Sequence, residues 1–147
     1  MGLIEDISPG RVAVDTAIFI YLIEESPRFL PVLLPLFEAA DQGRCEMVTS
    51  AITLLEVLVV PYRTGNEELA DRYTALLTRS RGLRLVDLSR DELSRAARLR
   101  AQHNLRTPDA LQLAAAQGSA CSAFLTNDRR LPALPNLPII QLGAYVG

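Results

Sequence analysis

A chain of 147 residues, 49% hydrophobic and with a net charge of −2, has the length of one domain, and at that size about 68–70% of the unfolded surface can be buried without disulfide or metal staples. Two well-separated cysteines and a single histidine supply neither a zinc site nor a redox pair, and all fifteen positive side chains are arginine, so the lysine of a P-loop, of phosphoaspartyl switches and of haloacid-type phosphatases is missing. Pro27, Pro31 and Pro35, then Glu56 and Pro61, interrupt the apolar stretches before they reach the ~20 residues of a bilayer span, so a soluble, cytoplasmic protein is expected.

The opening Met1-Gly-Leu-Ile-Glu-Asp-Ile7 is acidic where a secretory signal is basic, and Asp6 stands where a myristoylation motif carries Ser or Thr, so neither export nor lipid anchoring is expected. Arg11–Val14 reads as a short strand ending in Asp15, followed by a helix over 17–23 that Glu24-Glu-Ser-Pro27 stops. A second helix over 29–42 places Leu30, Leu33, Leu34 and Phe37 on one stripe, with Gly43 as its stop. Cys45–Thr49 is the next strand, and 52–62 a helix with Glu56 in its first turns.

Asn66 caps a helix running to Arg81, and 83–88 alternates like a strand. Ser89-x-x-Glu92 is a capping box for a helix reaching about Gln102, with His103 solvated at its end. Thr107 and Pro108 read as N-cap and first position of a helix ending near Gly118. A small strand over 122–126 delivers Asn127 and Asp128, and 137–142 is a last strand whose Pro138 favours a sheet edge. Strand and helix alternate throughout, which implies a parallel sheet covered on both faces, with ligands beyond the carboxyl ends of its strands.

Four acids stand at those ends or at helix starts: Asp15, Glu56, Asp109 and Asp128. Each has an ordinary structural explanation: a cap for Asp15, a Thr53-x-x-Glu capping box for Glu56, a dipole partner for Asp109, a turn for Asp128. Taken jointly they sit at one topological level, where ionised carboxylates raise one another's pKa unless a cation joins them. Oxygen-only ligands point to Mg²⁺ or Mn²⁺, and a divalent ion so held activates water for attack on phosphorus. Leaving these four out, thirteen acids face fifteen arginines, a balance of +2 that keeps nucleic acid open as a partner. Most arginines read as solvated helix surface, among them Arg129 and Arg130.

At Val14-Asp-Thr16, Ser50-x-x-Thr53-x-x-Glu56, Thr107-Pro-Asp-Ala110 with Leu113-Ala-Ala-Ala116, and Leu125-Thr-Asn-Asp128, in this order over nearly the whole length, the chain resembles PIN-domain ribonucleases of the kind found as toxins in bacterial VapBC toxin–antitoxin pairs. The resemblance implies a single PIN-like domain over residues 1–147, a three-layer α/β/α sandwich around a mostly parallel five-stranded sheet, and Mg²⁺- or Mn²⁺-dependent endonucleolytic cleavage of single-stranded RNA. Asp15, Glu56, Asp109 and Asp128 then become the catalytic and metal-binding acids, the fourth position being variable in the family. Thr16 and Thr126 become supporting hydroxyls, with Asn127 in the same layer. A homodimer and a cognate antitoxin whose tail fills the acidic groove are implied partners, and no membrane is. Two departures stand out, the mildly acidic charge and an extra Ser8-Pro-Gly10 leader. The competing expectations are a catalytically silent PIN-like module that binds RNA or protein, and a phosphatase acting on small molecules in a closed pocket.

Overall fold

Five strands form one sheet: β1 (Arg11–Val14), β2 (Glu46–Ser50), β3 (Leu83–Val86), β4 (Ala123–Thr126) and β5 (Ile139–Gln141), in the order β3-β2-β1-β4-β5 with every neighbouring pair parallel. The computed structural model describes residues 2–7 and 9–146, so the leader's Ser8 lies outside the described residues. Around the sheet lie α1 (Leu3–Ile7), α2 (Thr16–Ile23), α3 (Leu30–Asp41), α4 (Ile52–Arg63), α5 (Glu67–Arg79), α6 (Arg90–Gln102), α7 (Thr107–Gly118) and a 3₁₀ turn (Leu142–Tyr145).

The central strands are apolar on both faces, and period-two alternation divides them between two cores. Val12, Val14, Met47, Ala123 and Leu125 point into one core with Ile18, Phe19, Leu33 and Leu36 from α2 and α3. Ala13, Val48 and Phe124 point into the other with Ala96, Leu99, Leu113 and Ala114 from α6 and α7. The expected three-layer sandwich is therefore what forms, with β5 and its preceding Pro138 at an edge. Gly82, at φ +72°, admits the chain from α5 into β3 against the end of α3; a Cβ there collides with the Ala40 carbonyl.

The differences from the sequence reading are local. Helix α1 was not anticipated; its five residues are too few to show a period, and Leu3 and Ile7 are held by the core instead. Leu34 is not on the buried stripe of α3 but 42% exposed, and Leu36, Ala39 and Ala40 take that place. Arg106, not Thr107, is the N-cap of α7, and it makes no side-chain capping bond. Thr53 caps nothing: α4 begins at Ile52, and Thr53 is buried within its first turn. His103 is the half-buried residue that caps α6.

Half of the Ser89 capping box is made. The Ser89 hydroxyl accepts from the Glu92 amide at 3.2 Å, whereas the Glu92 carboxylate turns to Arg95 at 2.7 Å. Ser89→Ala is expected to cost about 1 kcal/mol, the usual value of a lost N-cap, read as a lower urea midpoint at unchanged slope. Cys45 and Cys121 are free and buried; burial raises both thiols, Cys121 to about 11, which leaves them unreactive. Among the described residues no helix is long and apolar enough to cross a membrane.

Candidate active site

From β1 the chain winds outward through β2 to β3, then returns to place β4 on the other side of β1. The carboxyl ends of β1 and β4 thus flank the switch point of the sheet, where parallel α/β folds bind ligands. Asp15 leaves β1 there, and Asp128 follows β4. Glu56 comes from the second turn of α4 and Asp109 from the first turn of α7. All four acids line one pocket of about 570 Å³, together with Thr16, Tyr21, Gln112, Asn127, Arg106 and Arg130. A somewhat larger cavity, about 670 Å³, between α1, α3 and the 3₁₀ turn is remote from these groups.

Asp15 caps α2 and serves the pocket at once. Its Oδ1 accepts from the Thr16 amide at 2.8 Å and its Oδ2 from the Thr126 hydroxyl at 2.7 Å. Burial raises its pKa above the ordinary value; the bonds from Thr126 and Thr16 pull it down, and the charges of Asp109 and Glu56 push it up further. Asp15 is thus a carboxylate short of positive charge, facing two others.

Glu56 is held by a buried polar chain that starts at Gln112. The Ser50 amide donates to Gln112 Oε1 at 3.2 Å, which fixes the amide orientation, because a backbone N–H needs an acceptor. Gln112 Nε2 therefore faces two hydroxyls, Thr53 at 2.6 Å and Thr16 at 3.2 Å, and donates to both. With its oxygen occupied from that side, Thr16 sends its own proton to Glu56 Oε1 at 2.7 Å. Thr53 donates onward to Thr49, whose hydroxyl ends on the Val14 carbonyl, each at 2.8 Å.

The other two acids are turned onto arginines. Arg106 Nε donates to Asp109 Oδ2 at 3.2 Å. Arg130 forks onto Asp128, Nε to Oδ1 and Nη2 to Oδ2, both at 3.0 Å, and holds that carboxyl below its ordinary pKa. Asp128 is also fixed through its backbone, its amide donating to Thr126 Oγ1 and its carbonyl accepting from Gln141.

No histidine or cysteine lines the pocket, so the donor set suits a hard divalent cation in kind. As arranged, no group of three or more acids among the described residues stands close enough to hold a metal ion. Any three of the four include Asp109 or Asp128, so a cation gathering three of them shares at least one carboxyl group with an arginine.

Every candidate named from sequence therefore lines or abuts this pocket. Thr16 and Thr126 hydrogen-bond the acids directly, whereas the side-chain amide of Asn127 donates to the Tyr21 hydroxyl at 3.2 Å. Sequence reasoning missed Gln112, Arg106 and Arg130. The i,i+3 spacing of Arg106 to Asp109 and the Asp128-x-Arg130 turn carried a signal for the arginines; Gln112, inside the run 111–116, carried only its polarity.

Solved structures share this fold. One is VapBC2 from Rickettsia felis bound to a DNA fragment from its promoter, with TM-score 0.68 and 18% identity over 89% of this chain and 98% of that one. A toxin–antitoxin complex from Klebsiella pneumoniae gives 0.64 and 24% over 86% and 94%. VapC20 from Mycobacterium tuberculosis, described as a sarcin–ricin loop cleaving toxin, gives 0.65 and 17% over 81% and 91%. No curated protein sequence matches the chain. Residues 12–137 match the model of the PIN domain, and with the four acids on one pocket at the switch point the chain belongs to the PIN domain family.

Proposed function

We propose that this protein is an endoribonuclease that hydrolyses phosphodiester bonds of single-stranded RNA with Mg²⁺ or Mn²⁺, as the toxin of a toxin–antitoxin pair acting in the cytoplasm. The observation that carries the reading is the delivery of Asp15, Glu56, Asp109 and Asp128 from four separate segments to one pocket. These acids would hold the cation. Bound there, it supplies a water of lowered pKa and offsets charge on the leaving oxygen. Thr126 and the Thr16 amide keep Asp15 facing the pocket, and the Thr16 hydroxyl keeps Glu56 there. Arg106 and Arg130, 66% and 74% exposed, stand at an accessible rim that a polymer can reach, which counts against a closed small-molecule site.

A cognate antitoxin and a second copy of the chain are the proposed protein partners. Support comes from antitoxin complexes among the similar folds and from Leu55, Val59, Val60 and Tyr62, exposed on α4 beside Glu56. The second reading, a silent RNA- or protein-binding module, is favoured by the arginine pairing of Asp109 and Asp128.

Titration with Mn²⁺ or Mg²⁺ decides between them. A ligand at a hundred times its Kd adds about 2.7 kcal/mol, so a melting temperature raised by roughly 5–10 °C is expected, with RNA cleavage that excess chelator removes. No gain, and no chelator-sensitive cleavage, leaves the silent module.

A further inference from the structure

We propose that Arg106 and Arg130 hold the carboxylates of Asp109 and Asp128 in competition with the divalent cation, and that the guanidinium groups released by the cation bind backbone phosphates of the RNA. This rests on the nuclease reading of the same pocket. The pairs are direct contacts: one from Nε to Asp109 at 3.2 Å and a two-pronged fork on Asp128 at 3.0 Å. Both arginines line the pocket and both are mostly exposed. The guanidinium side of each pair is open to solvent, which weakens its hold on the carboxylate, so a doubly charged ion takes those oxygens from it at small cost.

Neither acid depends on its guanidinium for its place. Asp109 is fixed by the first turn of α7. Asp128 keeps three other anchors: the Arg130 amide on Oδ1 at 2.9 Å, the Thr126 hydroxyl and Gln141. The fork that fits a carboxylate also fits phosphate. Two guanidinium groups set free at the rim of a site that cuts phosphodiesters have the substrate's phosphates as their next acceptors, and they supply positive charge that the mildly acidic chain otherwise spreads over its surface.

Competition makes the two arginine functions pull apart, and this is what a structural pair cannot imitate. Arg106→Gln and Arg130→Gln are each compared with the wild type and with Arg129→Gln, which removes the same charge next door but outside the pocket lining. Calorimetric titration with Mn²⁺ alone should show about two- to fivefold tighter binding in each pocket variant and less change in the control. Fluorescence anisotropy with a labelled single-stranded RNA of about a dozen nucleotides, in Ca²⁺ and with intact RNA verified on a gel, should show weaker binding. The slope of log K against log salt should fall by ~0.7 for each arginine lost. Mn²⁺ binding that weakens or stays the same in the pocket variants, or an unchanged salt slope, overturns the proposal while leaving the nuclease reading intact. No Mn²⁺ binding by any of the proteins overturns both.

Discussion

Asp15→Asn is expected to raise the melting temperature at pH 7 without added metal, to abolish the gain from Mn²⁺, and to lower RNA cleavage by more than about a hundredfold. The stabilising half follows from electrostatics. Burial first, then the charges of Asp109 and Glu56, lift the Asp15 pKa above its ordinary value against the pull of Thr126 and Thr16. A carboxyl with a higher pKa folded than unfolded contributes stability below its unfolded value and loses it as pH rises through the folded one, so at pH 7 the ionised form is a net cost. Asparagine keeps an oxygen for the Thr16 amide, donates its NH2 to the Thr126 hydroxyl oxygen where the carboxylate accepted from that hydroxyl, and carries no charge into the repulsion. The functional half follows from the same position, since losing even a partner of a metal ligand costs about 10–100-fold and a ligand itself should cost more. A variant that melts below the wild type, or one that keeps the Mn²⁺ gain, contradicts this account. The stability difference should grow in Asn's favour as pH climbs out of the acid range and shrink toward pH 4.

What the sequence showed of this site was its skeleton. Asp15 and Asp128 were readable because each ends an apolar strand, Arg11–Val14 and Ala123–Thr126, and parallel sheets place such ends together. Glu56 and Asp109 were readable through motif spacing and resemblance. Their present partners were not, because a rim arginine differs from a solvated one only in what lies opposite it; Arg130 was one of fifteen. Thr53 looked like a helix cap because Thr53-x-x-Glu56 fits the pattern of one, yet the helix starts a residue earlier and buries that hydroxyl against Gln112. Helix α1 escaped for the same reason at a larger scale: Leu3 and Ile7 become core residues only through contacts with distant elements.

Gln112→Leu should cost on the order of 3 kcal/mol and, separately, loosen Glu56. Gln112 is only 3% exposed, and leucine removes the acceptor for the Ser50 amide and both donors to Thr53 and Thr16. Each buried polar group left without a partner costs about 1–3 kcal/mol, and some of that is recovered when Thr53 and Thr16, already 3.1 Å apart, bond to each other. The loss that reaches the site is the 3.2 Å bond from Gln112 to the Thr16 oxygen: without it the hydroxyl that donates to Glu56 Oε1 at 2.7 Å is no longer braced from its far side. Urea denaturation should therefore show the destabilisation, and Mn²⁺ titration of the folded variant a roughly tenfold or greater loss of affinity. Stability within about 0.5 kcal/mol of the wild type, or full Mn²⁺ affinity in the leucine variant, would show that the hydroxyl chain orients nothing.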